Sequence, residues 1–460
     1  MTSAPLRAGR VGRPFLYLVV GNAVSSYGSF LNMVALNLFA LQTTGSALSV
    51  GIFLLLRIGS SFLAGFAAGR LVGRFNRKHL MIGGDFTQAL ALLGFALSPD
   101  SAREVLLYGL AAVMGACSTL SGVALRSSVP EIVGQDLRVR ANGLLVTGRS
   151  LAMVFGFASA GVVVAWAGYT AAFVLDAGTF LVSAATLALL PLTASGRRVS
   201  GPQEAGRDAH TGAENGEVRA ASGRFAARVW LTGLRRYAPV VLCLVAVRAV
   251  DNLGSASHQV GLPVYAAQID EDTAAAFVGR FWSAWAVGCL IAHQLVSRVP
   301  LLNRWAGGRD GRGGGERAFA VGTCLMSGFF IVAFSGLPTA ALIVVAAGAG
   351  LADGFTQIVY DSRLQALPDD QRGRLLGTAA MAETAALGIG TVLCATLLDR
   401  LAPFTVVALA HGTAIVLALG FLLLLVTVPA LARTSPGRDA SGPPVGAPAQ
   451  ETAASRTSPG

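Results

Sequence analysis

Eight ionisable side chains fall inside long apolar stretches of this chain: Arg57, Asp85, Arg149, Asp176, Arg248, Asp251, Asp353 and Glu383. A charge held in hydrocarbon costs about 2.5–3.5 kcal/mol on insertion scales, so such groups mark transport pathways or proton sites by default. Desolvation favours a neutral carboxyl group, whereas a neighbouring guanidinium favours the charged form. A carboxylate of this kind can load and release a proton as its surroundings change. Arg248 and Asp251 are three residues apart and share a helix face; as an alternative reading, they form a neutralised pair that only packs the helix. With Asp353, Glu383 and Arg57 they are the candidates for proton coupling or for lining a substrate cavity. Asp85 and Asp176 stand near helix ends and read as structural, and Arg149 can snorkel to the interface. Asn22, Ser25, Ser26 and Asn32, with Trp282 and Trp285, are further cavity candidates; small-residue packing accounts equally for the serines, and interfacial anchoring for the tryptophans.

Other chemistries find no support. The single lysine, Lys78, is followed by His79, so there is no Gly-Lys-Ser/Thr phosphate loop and no ATPase motor. Five cysteines lie in apolar runs without Cys-x-x-Cys spacing and read as small buried hydrophobes. Five scattered histidines offer no metal-binding pair, and no nucleophile, base or paired-carboxylate set suggests an enzyme or a cofactor. The net charge of +11 comes almost wholly from arginine, a bias that suits GC-rich coding better than nucleic-acid binding.

The elements carrying these residues are membrane spans. The chain is 53% hydrophobic and 13% charged, against about 25% charged for an ordinary soluble protein, and its mean hydropathy is +0.62. Crossing about 30 Å of hydrocarbon takes roughly 20 apolar residues as a helix. Twelve such runs occur: approximately 15–40, 48–71, 80–97, 105–125, 141–165, 171–192, 239–264, 277–296, 318–334, 339–359, 375–398 and 403–428. The first continues to Leu41, so residues 1–26 read as a span rather than a cleaved leader. At about 1.5 Å rise per residue, Asp251 lies roughly 18 Å into the seventh run, near mid-membrane. Asp353 has a similar depth in the tenth, and Glu383 is nearer the cytoplasm.

Loops holding 29 of the 35 basic residues fall on one side of this topology. The positive-inside rule therefore sets both termini in the cytoplasm. The organisation expected is a cytoplasmic N-terminus (1–14), a six-helix half (15–192), a cytoplasmic linker (193–237), a second six-helix half (238–428) and a disordered tail (429–460). The loop running from Arg126 to Pro130-Glu131 is echoed by the one from Arg363 to Pro368-Asp369. Two parallel repeats of six helices around a midplane cavity are one way transporters are built.

The loop Gly69-Arg70-Leu71-Val72-Gly73-Arg74-Phe75-Asn76-Arg77-Lys78 resembles the signature loop of the major facilitator superfamily. Thr44-Gly45-Ser46-Ala47, Val129-Pro130-Glu131 with Ala141-Asn142-Gly143, and Ala172 to Ala177 leading into Phe180 to Ser183 look like its drug/proton antiporter branch, with the macrolide exporters and the enterobactin exporter. The resemblance covers most of residues 15–190. It implies an all-α membrane fold of twelve helices in two six-helix halves. It also implies a gating loop at Gly69, Arg74, Arg77, Lys78 and Glu131, and a cavity lined by spans one, four, seven and ten, so that Asp251 and Asp353 face substrate. Two departures stand out: Gly73 replaces the signature aspartate that helps hold the halves together, and Phe157 follows Gly156 where antiporters carry a Gly-Pro pair. From the residues alone, the basic turn is free either to pair with Glu131 or to meet helix C-terminal carbonyls.

The expectation is a monomeric secondary transporter in the plasma membrane, exporting a lipophilic or amphipathic small molecule such as a drug, antibiotic or siderophore against a proton gradient. The alternatives are a proton-coupled importer of a nutrient or lysophospholipid, and a non-transporting membrane scaffold.

Overall fold

The computed structural model describes residues 12–134, 137–189, 239–302, 314–367 and 369–428. The expected linker and tail, and most of the N-terminal segment, lie outside the described residues. The remainder is helical: α1 (Arg13–Thr44), α2 (Ala47–Arg74), α3 (Arg77–Ala96), α4 (Asp100–Val133), α5 (Arg138–Leu189), α6 (Pro239–Ile269), α7 (Ala274–Arg298), α8 (Gly314–Ala333), α9 (Thr339–Gln365), α10 (Asp369–Leu398) and α11 (Pro403–Thr427). Ten of these are long and apolar enough to cross a membrane. Among the described residues the exception is α3, which spends part of its 20 residues on Arg77, Lys78, His79 and Asp85.

Local chemistry sets the ends. Gly45 closes α1 in the left-handed region (φ 67°), its N–H returning to the Leu41 carbonyl at 2.7 Å. Ser46 then caps α2 by accepting from the Leu48 N–H, and Asn76 caps α3 by accepting from the Lys78 N–H. Within α5, Gly168 (φ 77°, ψ 175°) breaks the helix in a conformation that few other residues adopt. The two arms then run in opposite directions along α1. Gly148 lies against Val19 and Ala23, and Gly156 against Tyr27 and Phe30, whereas Gly28 meets Asp176 and Thr179, and Gly21 meets Thr186. Counting the two arms of α5 separately, the helices of the described residues form twelve segments, six before residue 190 and six after residue 238.

Lipid is as apolar as leucine, so helix association in a bilayer rests on close packing and buried polar links. The halves meet along α5 with α7 and along α2 with α10. A side-chain carbon added at Gly161 would lie 2.3 Å from Ala276 Cα, one at Gly279 would lie 2.6 Å from the Phe157 carbonyl oxygen, and one at Gly51 would lie 2.4 Å from Ala395 Cβ. These contacts sit near the end formed by the turns at 45–46, 166–169, 270–273 and 399–402. One apolar core unites both halves there, from Leu31, Phe53 and Phe157 to Val260, Phe281 and Cys394. Towards the opposite end the cores separate: Phe15, Met81, Val129 and Leu187 serve the first half, and Val240, Phe319, Tyr360 and Phe421 the second. Among the described residues the molecule is thus sealed at one end, where the core is shared, and divided at the end that carries the 75–76 turn, where the cores are separate.

Candidate functional site

A buried polar centre lies in the second half, where α6 supplies positions 248, 251 and 252 and α9 supplies 353, 357, 360 and 361 at helical spacing. Arg248 Nη1 donates to Asp251 Oδ2 at 2.9 Å and lies 3.6 Å from Asp353 Oδ1. Its Nη2 donates to Gln357 Oε1, whose amide in turn donates to Asp361 Oδ2 at 3.0 Å. The Tyr360 hydroxyl donates to Glu383 Oε1 of α10 at 2.7 Å, and the guanidinium lies 6.0 Å from the Tyr360 ring centre. The Asp251 side chain is 2% exposed and the Asp353 side chain 22%, so Asp251 is enclosed and Asp353 is the accessible member. Arg248 Nε and Asp251 Oδ1 are buried without a hydrogen-bond partner.

One guanidinium thus faces three nearby carboxyl groups, Asp251, Asp353 and Glu383, with Asp361 beyond Gln357. Full ionisation would leave a net negative charge inside the helix bundle, which is costly. Such a centre is relieved by taking up protons or a cation.

The sequence candidates sort into different places. Asp251, Asp353, Glu383 and Arg248 come together. Asn32 does not line an open cavity: it is 1% exposed and donates at 2.7 Å to Asp176, which Thr179 also holds. This link joins α1 to the second arm of α5 and suits the structural reading of Asp176. Arg57 interacts electrostatically with Asp176 from α2 but stays apart from the Arg248 centre. Trp282 is buried in the interface between halves, 6.0 Å from Phe157 across it. Asn22 is half-buried on α1, and the exposed Arg149 lies over the Phe30 ring.

At the basic turn, Arg77 donates to the Ser127 carbonyl at 3.1 Å and Lys78 to the Ala188 carbonyl at 2.9 Å, placing cations at the C-terminal ends of α4 and α5. Arg74 is exposed beside Phe75. Gly69 lies within α2, and the Glu131 side chain is outside the described residues. Sequence reasoning missed Gln357, Tyr360 and Asp361, although their spacing of four, seven and eight residues from Asp353 puts them on its helix face. It also missed Arg363 to Glu316, a buried ion pair of 3.1 Å at the divided end, and the meeting of His258 with His411 at 3.0 Å. The histidines that look scattered along the chain are therefore not all isolated.

Comparison with known proteins agrees with this architecture. A solved bacterial homologue of the iron transporter ferroportin, in an inward-facing state, superposes with a TM-score of 0.66 at 16% identity, covering 90% of this chain and 100% of that one. A D-xylose–proton symporter superposes with a TM-score of 0.60 at 13% identity, covering 88% and 96%. At these identities the likeness is one of fold. The uncharacterized MFS-type transporter YfiS of Bacillus subtilis (strain 168) is 26% identical over 188 residues, 41% of this chain and 44% of that protein; the match thus spans less than half of that relative's length. The sequence model described as Major Facilitator Superfamily matches residues 18–390. The chain belongs to the major facilitator superfamily of membrane transporters.

Proposed function

We propose that this transporter is a monomeric, proton-coupled exporter of lipophilic or amphipathic small molecules in the plasma membrane, with both termini cytoplasmic. The supporting observation is the Arg248 centre: several carboxyl groups around one guanidinium, with Asp353 accessible and Asp251 enclosed. A centre of this charge prefers a protonated state or a bound cation, so protons and a cationic amphiphile compete for it. The two become coupled when the cavity changes sides. Export, rather than uptake, rests on the resemblance of the first half to drug and siderophore exporters. The basic loops at the divided end favour an arrangement open to the cytoplasm and sealed outside.

The test is proton movement on substrate addition in proteoliposomes loaded with a pH dye, screening lipophilic cations, macrolides and siderophores. Asp251→Asn and Asp353→Asn accompany the wild type. Substrate-evoked proton flux that is lost in either variant is the expected result. Substrate flux without proton movement would overturn the antiport reading, and accumulation inside cells would overturn export.

A further inference from the structure

Two turns beyond Asp251 on α6 lies a second buried titratable group with no part in the Arg248 centre. His258 Nδ1 and His411 Nε2 of α11 are 3.0 Å apart, and His411 Nδ1 is 3.1 Å from Ser327 Oγ of α8. His258 is 4% exposed, and His411 and Ser327 are fully enclosed. The three form an unbroken hydrogen-bonded chain. Its walls are aromatic: the His258 ring is stacked on Phe330 at 3.8 Å with 2° between planes, and Trp282 lies 5.7 Å away. Ring faces of this kind stabilise a cation placed against them.

Asp251, Gly254 and His258 follow one another at spacings of three and four on one face of α6, so Asp251 and His258 are about 10.5 Å apart along the axis. A carbon added at Gly254 would lie 3.5 Å from His411 Nδ1. The His411 ring therefore rests on the turn between Asp251 and His258. Asp251 itself has a buried Oδ1 without a partner. On the other side, Trp282 reaches the first half at Phe157. Among the described residues, α6 brings Arg248, Asp251 and Ser257 to this region, α8 brings Ser327, α11 brings His411, and α9 brings Asp353 with Gln357, Tyr360 and Asp361 beyond it. From α7 come Trp282 against His258 and Trp285 near Asp353, and from α10 come Gly390 against Leu253 and, nearer Arg248, Glu383.

We propose that the His258–His411 pair is a second proton-binding site of the transport cycle, exchanging a proton with Asp251 and passing its charge state to the interface between the halves through Trp282. In this exchange the O–H bond of the Asp251 carboxyl breaks, leaving a carboxylate against Arg248. An N–H bond forms at His411 Nδ1, where the Ser327 hydroxyl turns from donor to acceptor. The bridging N–H proton is then shared between His411 Nε2 and His258 Nδ1, and the new charge rests against Phe330 and Trp282. The proposal rests on the proton-coupled reading above and adds the route by which a proton in the cavity influences the seal.

Full-length protein with 15N-labelled histidine, in lipid nanodiscs, supplies a test that needs no substrate. Signals assigned with His258→Gln and His411→Asn should change together as one unit across the pH range in which the protein stays folded, and Asp251→Asn should displace their midpoint. Signals that stay constant across that range, or that ignore Asp251→Asn, overturn the proposal. In proteoliposomes with tetraphenylphosphonium as probe, His411→Asn should cut probe-evoked proton movement by at least about tenfold while probe exchange persists. A wild type that moves the probe without protons overturns the antiport reading and the pair with it. Variants that keep full proton movement overturn the pair alone.

Discussion

Substituting alanine for Gly161 should shift the protein towards the state open at the sealed end. The added carbon would lie 2.3 Å from Ala276 Cα, 2.7 Å from Ala276 N and 2.9 Å from the Ala275 carbonyl oxygen. All three are backbone atoms, so no side chain can swing away. Ordinary contact begins at 3.4 Å, and α5 and α7 must separate by about 1 Å at this point. Overpacking of this kind costs about 1–3 kcal/mol. The cost applies only while the interface is closed, so the equilibrium moves about 5- to 150-fold towards the parted state. Spin labels at Gln42→Cys and Ala402→Cys, exposed positions in opposite halves at that end, would report the distance after the five free cysteines are replaced by alanine. The variant should gain a longer-distance population. Gly156→Ala supplies the control, because its clash with the Tyr27 carbonyl at 2.7 Å lies within the first half and is present in both states. It should lower thermal stability without moving the distances. An unchanged distribution in a stably folded Gly161→Ala protein would refute the assignment of this interface as the element that must part.

Three further outcomes follow from the polar contacts. Arg248→Met strands Asp251 and Asp353 without their shared guanidinium and should destabilise the protein by about 3–5 kcal/mol, read as a fall in the thermal unfolding midpoint in detergent. Asn32→Ala removes a buried hydrogen bond to a carboxylate, worth about 1.5–3 kcal/mol; it should lower the midpoint while leaving substrate affinity unchanged, and altered affinity would return Asn32 to the cavity. Tyr360→Phe deletes only the hydroxyl that donates to Glu383 and should cost about 1 kcal/mol, with substrate-evoked proton flux slowed more than folding is weakened.

The amino-acid sequence alone established that the chain is built from the long apolar helices of a multi-pass membrane protein, and it set the expectation for how often the chain crosses and which loops share a side. These properties follow from composition and local spacing: an apolar run either is or is not long enough to cross, and basic residues either cluster in alternate loops or do not. The sequence also singled out Arg248, Asp251, Asp353 and Glu383, because a charge inside an apolar run is conspicuous without any knowledge of its partners. Gln357, Tyr360, His258 and His411 were not conspicuous, since polar and aromatic residues of these kinds are ordinary in isolation and become a site only when helices distant in the chain meet. Asn32 and Trp282 show the converse. Both are of types that suit a cavity, and only the packing of α1 on α5, and of α7 on α5, assigned them to buried links. The division of the molecule into a sealed end and a parted end was likewise a tertiary decision. Glycines at 51, 161 and 279 permit close approach, but whether two helices use that permission depends on how the halves are tilted against each other, and that is not written in any local run of residues.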